Sequence, residues 1–411
     1  MTLPRLDGDA LHRRLEKLAT IGGIDGGGVC RLALSDEDKA GRDQCVAWMR
    51  ELGLAVSVDP IGNIMGIRKG RRDLPPVTTG SHLDTVRTGG RYDGALGVMA
   101  GLEVVAALNR LELDTEWPIA VGAFTNEEGA RFAPDMMGSA VQQGQLDLQS
   151  CLGTRDASGV SVGEELRRIG YAGEAPWFRA SGFLELHIEQ GPVLEAEGVT
   201  LGAVTGVQGI SWTELTLRGV SNHAGTTPIA LRHDAGLAAA EIAVGARRIA
   251  DEIGGGQVAT VGSLSLYPNL VNVIAQRAVM TVDLRNIDEA LLQQAEARLG
   301  LLVDEVAARQ GIKAEARGLA RFAPVAFDAG VVGMVADLAV EAGASVRRMA
   351  SGAGHDAQMF APNCPTGMIF VPSVGGISHN IAEFTAERDI ETGADILLRA
   401  MLRMAQSGGF P

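Results

Sequence analysis

The chain lacks any long apolar segment. Among its 411 residues, nowhere do roughly 18 or more apolar residues follow one another, which is the length that a membrane-spanning helix requires. Residues 1–17 mix charged side chains with leucines, a composition unlike that of an export signal. We therefore expect no membrane partner and a cytoplasmic location.

Cysteine and clustered basic residues are scarce as well. The four cysteines, Cys30, Cys45, Cys151 and Cys364, form no C-x-x-C pair, which argues against a cysteine-based metal site and fits free thiols in a reducing compartment. The formal net charge is −14, and the sequence contains no basic run. Since nucleic-acid binding depends on clustered lysine and arginine, we expect no nucleic-acid partner.

The composition is sufficient for two domains, with 46% hydrophobic and 21% charged residues. Strand and helix patterns alternate through most of the chain, which favours a parallel or mixed sheet covered by helices. Between residues 210 and 324, strand patterns instead surround two helical stretches. The sequence thus predicts an α/β fold with one discontinuous domain over residues 1–209 and 325–411 and an inserted α+β domain over residues 210–324.

Two helix starts can be predicted near the N-terminus. Leu11, Leu15 and Leu18 share one helical face and predict a helix over residues 9–18. Ser35 followed by Asp38 resembles a capping box, which would open a second helix that runs through residue 52.

Histidine and carboxylate side chains recur near the ends of predicted strands, where open α/β sheets keep their chemistry. These side chains are His82, Asp93, Glu127, Glu128, His187 and His379. Taken singly, each has an ordinary explanation, such as a solvated loop, a pair of surface carboxylates or a hydrogen-bonded histidine. Together, with one of Glu127 and Glu128 counted, they form a set of five ligands that suits Zn²⁺, Mn²⁺, Co²⁺ or Ni²⁺, and five such ligands with one shared carboxylate would hold two ions.

Two of these segments carry neighbouring carboxylates. Glu127 and Glu128 follow an apolar strand and point in different directions, so one can bind a metal while the other handles protons. Strand alternation places Glu185, His187 and Glu189 on one face. A histidine flanked by carboxylates is a better ligand candidate than a lone strand histidine.

The sequence resembles the hydantoinase/carbamoylase amidases of the M20 metallohydrolase superfamily from about residue 30 to residue 383. This group includes N-carbamoyl-L-amino-acid hydrolases, allantoate amidohydrolases and β-ureidopropionases. The motifs that carry the resemblance are His82-x-Asp84, Gly90-Arg91-Tyr92-Asp93-Gly94-Ala95, Glu127-Glu128-Gly129-x-Arg131-Phe132, His187-Ile188-Glu189-Gln190-Gly191-Pro192, Asn222-His223-Ala224-Gly225-Thr226-Thr227-Pro228, Gly354-His355-Asp356-Ala357 and Ser378-His379-Asn380.

The resemblance implies a dinuclear metallohydrolase centre, with two divalent ions that share one aspartate. One ion would be held by His82, Asp93 and His187, and the other by Asp93, Glu128 and His379. Glu127 would act as general base and acid, and Asp84 would hold the second ring nitrogen of His82. His187 stands where related peptidases usually carry an acidic residue, which favours the amidase branch.

The resemblance also assigns roles to the two domains. The discontinuous domain would be catalytic, and the insert would be a lid that makes a homodimer. From the insert, His223 would reach the partner's site and stabilise the oxyanion, although a histidine that caps a turn is the alternative. Arg232 and Asp234 would pin the lid helix.

Substrate recognition would divide between two groups of residues. Arg285, helped by Asn272 and Gln208, would bind a carboxylate, with a surface ion pair as the alternative for Arg285. The ureido end would meet Gln190, Gly352 and Ala353. His355 and Asp356 match a family motif and are expected to support the site by packing, and His12 and His233 are expected at the surface.

The implied reaction is hydrolysis of the carbamoyl C–N bond of an N-carbamoyl-L-amino acid, which gives the L-amino acid, CO₂ and ammonia. Allantoate and β-ureidopropionate are alternative substrates, because each has a ureido group and a carboxylate. A catalytically silent dimeric binding protein is a further alternative, but it predicts a missing ligand or base, and none is missing. A nucleotide-dependent oxidoreductase is set aside, because no glycine-rich fingerprint lies between a predicted strand and helix.

Overall fold

The polypeptide divides into two compact units in the computed structural model, which describes residues 5–406. One unit extends to Thr205 and resumes at Phe327, and the other comprises Gly206–Ala326. No helix within the described residues is both long and apolar enough to cross a membrane.

The first segment of the discontinuous unit alternates helices and strands. Its helices are α1 (Gly8–Ala19), α2 (Asp36–Glu51), α3 (Ala95–Arg110), α4 (Met137–Gln142), α5 (Leu148–Gly153), α6 (Val162–Ile169) and α7 (Val193–Glu197). Its strands are β1 (Ala55–Val58), β2 (Ile64–Arg68), β3 (Val77–His82), β4 (Ile119–Phe124), β5 (Gly182–Ile188) and β6 (Leu201–Val207), of which β6 runs into the second unit.

The rest of the chain completes both units. The inserted unit contains β7 (Gly209–Arg218), a 3-10 turn (Ile229–Leu231), α8 (Ala235–Ile253), β8 (Val258–Tyr267), β9 (Arg277–Asn286), α9 (Glu289–Gln310), β10 (Lys313–Phe322) and β11 (Val325–Ala326). The discontinuous unit resumes with α10 (Ala329–Glu341), β12 (Val346–Ser351), α11 (Asp356–Phe360), β13 (Thr366–Val371), a 3-10 turn (Val374–Gly376) and α12 (Glu387–Gln406).

Both predicted helix starts are confirmed, although the second is capped differently. Helix α1 buries the three leucines of its predicted apolar face. Helix α2 begins where the Ser35 side chain accepts the main-chain N–H of Asp38. The Asp38 carboxylate does not complete the capping box, because it accepts from the Leu34 N–H at 2.8 Å and from Arg42 Nε at 2.7 Å. A buried ion pair thus replaces the reciprocal capping bond.

The large sheet is mixed, as predicted. Its strands follow the order β1-β2-β4-β3-β5-β13-β6, with β12 also paired to β6. The four adjacent strands β4, β3, β5 and β13 run parallel, whereas β2 and β6 pair antiparallel with the two sides of this group. The carboxyl ends of the parallel strands therefore meet at one edge, which is the usual position of a functional site in such a sheet.

Helix α3 anchors the segment that follows β3 at the carboxyl edge of the sheet. Most of its residues are buried, and it packs against β3 as well as α1 and α12. A Cβ at Gly97 would lie 2.7 Å from the Leu186 carbonyl oxygen, and one at Gly101 would lie 2.9 Å from Val121. Glycines at these positions allow the helix to approach the sheet closely, so the turn that precedes α3 is firmly anchored.

The inserted unit has its own core. Its antiparallel sheet follows the order β10-β7-β9-β8, and α8 and α9 pack on it through a continuous cluster of buried aliphatic side chains. The patterns predict β7, β8, β9, α8 and α9 but not β10. Residues alternate between buried and half-buried along β9, which is the period of a strand with one face on a core.

Candidate metal centre

The predicted ligand residues all follow or end the parallel strands. His82 is the last residue of β3, and His187 is the next to last residue of β5. Glu127 and Glu128 follow β4, and His379 lies on the loop after β13. Since these strands are parallel neighbours, segments far apart in sequence bring their side chains together at one edge.

Asp93 lies at the centre of this cluster. Its Oδ1 is 3.1 Å from His187 Nε2 and 3.6 Å from His82 Nε2. Its Oδ2 is 3.4 Å from His379 Nε2, which is also 3.1 Å from a Glu128 carboxylate oxygen. The two oxygens of one carboxylate thus face different imidazoles.

The cluster forms two groups of donors that could each hold a metal ion. One group is His82, Asp93 and His187, and the other is Asp93, Glu128 and His379, with the donor atoms of each group within 4.8 Å of one another. Imidazole nitrogen and carboxylate oxygen are suitable donors for Zn²⁺ and similar divalent cations. The structure therefore brings together the residues that the sequence indicates as ligands.

The other carboxylates on the His187 strand have structural contacts instead. A third donor group, Glu185, His187 and His355, also meets the distance criterion. However, Glu185 already accepts from the Ser81 hydroxyl at 2.6 Å and from the Ala357 N–H at 2.9 Å. Glu189 accepts the first N–H groups of α7 at 2.8 and 2.9 Å. Both carboxylates therefore hold backbone segments in place.

Main-chain carbonyls orient the buried histidines. His82 Nδ1 lies 2.9 Å from the Asp84 carbonyl oxygen, and His187 Nδ1 lies 2.8 Å from the Ile188 carbonyl oxygen. A carbonyl oxygen can only accept, so Nδ1 of each ring carries a proton, and in the neutral ring Nε2 keeps a lone pair that can bind a cation.

Asp84 therefore contacts His82, but through its backbone and not through its carboxylate. The carboxylate accepts from the N–H groups of Glu127 and Glu128, each at 3.3 Å. This contact fixes the backbone of the glutamate pair.

Glu127 is positioned for proton transfer. It is 8% exposed, and one of its carboxylate oxygens lies 3.3 Å from His82 Nε2. Burial raises the pKa of Glu127 well above its ordinary value, an effect to which the negative charges of Asp356 and Glu128 add and which the His82 charge opposes. A carboxyl group whose pKa is raised in this way is suited to accept and return a proton.

His355 packs against His187, and Asp356 follows it in the chain. The two imidazoles of His187 and His355 pack edge to face, with ring centroids 4.6 Å apart, and burial keeps the pKa of His355 well below its ordinary value. Asp356 accepts from the Ser139 hydroxyl at 2.5 Å, and burial raises its pKa to about 8. These contacts agree with the packing role that we expected.

A cleft of about 110 Å³ opens onto the cluster and is lined partly by Gln190, Ala353 and Gly354. Gln190 Nε2 donates to Asp93 Oδ2 at 2.8 Å. The Gln190 Oε1 atom is buried and has no hydrogen-bond partner within residues 5–406. Gly352, which precedes Ala353 in the chain, is exposed.

In the inserted unit, His223 lies on an exposed turn. Its Nδ1 accepts from the N–H groups of Gly225 and Thr226 at 3.0 and 3.2 Å, as in the alternative interpretation of a turn-capping histidine. Arg232 donates to the carbonyls of Ala224 and Thr227. It therefore holds this turn, and the prediction that it pins the lid helix is wrong.

Asp234 caps helix α8, as expected for the first helix of the insert. Its side chain accepts from the N–H groups of Gly236 and Leu237 at the start of α8. Of the two histidines expected at the surface, His233 is exposed, whereas His12 is half-buried and lies 3.3 Å from Glu391.

The residues predicted to bind the substrate carboxylate are also in the inserted unit. Gln208 is half-buried between β6 and β7, and Asn272 is exposed. Arg285 forms an ion pair with Asp283 on the same strand, with Arg285 Nη2 2.9 Å from a carboxylate oxygen. The alternative interpretation of Arg285 as one member of an ion pair is therefore observed.

Glu383 is a buried residue of the site that sequence patterns do not reveal. Glu383 is 4% exposed and accepts from the N–H groups of Tyr92 and Asp93. A lone glutamate after a histidine motif gives no pattern from which such a contact could be predicted.

The fold and this cluster define a class of protein, a mixed α/β fold with histidine and carboxylate groups that can hold metal at the carboxyl edge of its large sheet. The profile of peptidase family M20/M25/M40 matches residues 78–403. The chain belongs to this metal-dependent family and is an enzyme of the hydrolase type.

Individual relatives cover nearly the whole chain. The N-carbamoyl-L-amino-acid amidohydrolase of Rhizobium meliloti is 42% identical over 98% of this chain and 97% of its own length. The allantoate amidohydrolase of Bacillus subtilis is 34% identical over 95% of this chain and 96% of its own. The crystal structure of a hydantoinase/carbamoylase family amidase from Burkholderia multivorans has a TM-score of 0.96 and 46% identity, and the match covers 98% of both chains. These matches confirm the resemblance to the hydantoinase/carbamoylase amidases that the sequence motifs indicate.

Gly94 offers a test of the cluster's geometry. A Cβ at Gly94 would lie 2.3 Å from the His82 ring, and its φ is +64°. We expect Gly94→Ala to displace His82 and to lower the affinity for divalent cations, measured by titration with Co²⁺. The matched control is Gly198→Ala, because Gly198 has a φ of +63° but nothing within 4 Å of its Cβ.

The control should carry only the backbone cost, about 1 kcal/mol of unfolding free energy, with cation binding unchanged. Equal Co²⁺ affinity in the two variants would contradict the placement of His82 in the centre.

Proposed function

We propose that this protein is a metal-dependent amidohydrolase that cleaves the carbamoyl C–N bond of N-carbamoyl-L-amino acids and releases the L-amino acid, CO₂ and ammonia. The observation that carries the proposal is the Asp93 carboxylate, which is common to both donor groups, with Glu127 beside them but outside both. The name of the R. meliloti relative supports the substrate class.

The donor set fits two divalent ions in each subunit. His82, Asp93 and His187 would hold one ion, and Asp93, Glu128 and His379 the other. When bound, such ions lower the pKa of a water molecule and polarise a carbonyl group. Zn²⁺ or Mn²⁺ is our first choice, and Co²⁺ or Ni²⁺ would also suit these donors, because nitrogen and oxygen ligands do not discriminate strongly among them.

Glu127 is the proposed general base and acid. It takes a proton from the attacking water and gives it to the departing nitrogen. Two features support this role: burial raises the pKa of Glu127, and the Asp84 carboxylate fixes its backbone. A base held in this way needs little reorganisation during the reaction.

His223 is the proposed oxyanion stabiliser. Its Nδ1 accepts two backbone N–H groups, so in the neutral ring the proton lies on Nε2. The outward nitrogen is therefore a donor, which is what a developing oxyanion requires.

We propose that His223 serves the partner's site in a homodimer. Strand β8 supports self-association, because it is an edge strand with no charged residue in its ten residues. Val258, Leu264 and Tyr267 on this strand are each at least 40% exposed. An uncharged, open edge can pair with the same edge of a second copy. The opposite edge strand is β10, which carries several charged residues.

The substrate itself is a small ureido carboxylate. Arg285, Asn272 and Gln208 are proposed to bind its carboxylate, because an arginine fork matches a carboxylate best. Gln190 is proposed to accept from the ureido nitrogen through its unpaired Oε1, and Gly352 and Ala353 border the same end. A cytoplasmic location is also proposed, and the four free cysteines are in keeping with it.

A substrate panel tests the proposed reaction. Metal-reconstituted protein should release ammonia from N-carbamoyl-L-methionine and N-carbamoyl-L-alanine with a kcat/KM at least about tenfold above that for allantoate or β-ureidopropionate. Hydrolysis of allantoate alone would favour the second candidate, which the B. subtilis relative supports by name. Binding of all four compounds without turnover would instead support a catalytically silent binding protein.

Substituting Glu127 and Glu128 one at a time distinguishes the proposed general base from the proposed metal ligand. Glu127→Gln should keep two equivalents of bound metal and lose at least about 100-fold in kcat, because the amide cannot accept the proton. Glu128→Gln is the matched neighbour and should lose affinity for one of the two ions. Metal content by mass spectrometry and kcat on a carbamoyl amino acid are the measurements. A Glu127→Gln enzyme that keeps wild-type kcat would show that the base is another group.

Mixed dimers test whether His223 acts across subunits. We expect Glu127→Gln and His223→Ala to be nearly inactive as separate proteins. Co-expression should give mixed dimers in which one site combines Glu127 of one subunit with His223 of the other, and total activity should recover to about 25% of wild type. If His223 serves its own subunit, the mixed dimers should stay inactive. Size-exclusion chromatography with light scattering provides the control for dimer formation.

A further inference from the structure

Two loops meet around Asp93, and one buried carboxylate connects them. The first loop, residues 89–94, leads into α3, and the second, residues 372–383, follows β13 and carries His379. Glu383 closes the second loop and is 4% exposed. It belongs to neither donor group.

Glu383 contacts the backbone on one side and a hydroxyl on the other. Its Oε1 accepts from the N–H groups of Tyr92 and Asp93 at 2.9 and 3.2 Å. Its Oε2 lies 3.3 Å from Ser378 Oγ, which is also 3.0 Å from Asp93 Oδ2. Glu383 thus holds the Asp93 main chain directly, and Ser378 extends the contact to the Asp93 side chain.

The close packing of Gly90 on Glu383 is independent evidence that the fold fixes the position of the Glu383 side chain. A Cβ at Gly90 would lie 2.1 Å from the Glu383 carboxylate. The first loop therefore packs its backbone directly on the Glu383 side chain, which leaves that side chain little freedom to move away.

We propose that Glu383 and Ser378 form a positioning pair that sets the direction of the Asp93 carboxylate between the two donor groups. The inference rests on the proposed function, since it concerns the same centre. Glu383 is not a ligand in this scheme, because Oε1 accepts two N–H groups and Oε2 lies against the Ser378 hydroxyl. Its removal would leave the two N–H groups without their acceptor, which is costly in a buried place.

The test compares Glu383→Gln, Glu383→Ala and Ser378→Ala with the wild-type protein and with Glu387→Gln, an exposed control nearby. In Glu383→Gln, the amide oxygen can still accept from the two N–H groups, and the amide nitrogen can donate to Ser378. The Ser378 hydroxyl proton then remains available for Asp93. The conservative variant should therefore behave nearly as the wild type.

The main readout is Co²⁺ affinity, measured by competition with a chelator in the absence of substrate. Glu383→Ala should lose about 10 to 100-fold in affinity for at least one ion, and Ser378→Ala should lose several-fold. Glu383→Gln and the control should stay close to wild type. The kcat of Glu383→Ala should fall with little change in KM, since no substrate contact is removed.

Ser378→Ala keeps the test decisive if Glu383→Ala does not fold, because it removes only a hydroxyl. Wild-type Co²⁺ affinity in folded Glu383→Ala or in Ser378→Ala would overturn the proposal, as would equal losses in Glu383→Gln and Glu383→Ala. Failure of the proposed function has a different signature: the wild-type protein would bind two ions but hydrolyse no ureido compound, and the affinity comparison would still stand.

Discussion

The centre depends on one buried carboxylate, that of Asp93, which faces imidazoles on both sides. Burial alone would raise the pKa of Asp93, but hydrogen bonds with His187 and His82 outweigh it and hold the pKa well below its ordinary value. The carboxylate is thus charged in a place shielded from water, where an unpaired charge would be very costly. Because its two oxygens point apart, one residue can serve two groups of donors.

The backbone around the centre adopts unusual conformations to achieve this geometry. Asn126, Met136, Gln190 and His379 all have left-handed φ values, between +49° and +56°. Such a conformation costs roughly 1–2 kcal/mol in a residue other than glycine and persists only where its surroundings fix it. The parallel strands and the buried helix α3 supply that support, so a rigid scaffold holds a strained set of loops.

Sequence patterns predict those features of the fold and the site that depend on short segments of the chain. The ligand residues can be predicted because they lie at or after the ends of predicted strands, and the register of the parallel strands then brings them together. Strand β10 cannot be recognised, because its edge position leaves it charged and without a clear apolar alternation. Contacts made with main-chain carbonyls cannot be predicted in this way: Asp84 holds His82 through its carbonyl oxygen, and Arg232 binds carbonyls of the His223 turn. Both depend on atoms that residue type does not specify.

The division of the chain into two units has a consequence for specificity. The metal ligands and Glu127, proposed for bond cleavage, lie in the discontinuous unit. The proposed oxyanion stabiliser His223 lies in the inserted unit, as do Arg285 and Asn272, proposed to bind the substrate carboxylate. A ureido group and a carboxylate are common to all the candidate substrates, so neither set of residues can discriminate among them. Each tenfold preference requires a difference of about 1.4 kcal/mol in transition-state binding. That difference has to come from contacts with the part of the substrate between its ureido and carboxylate ends.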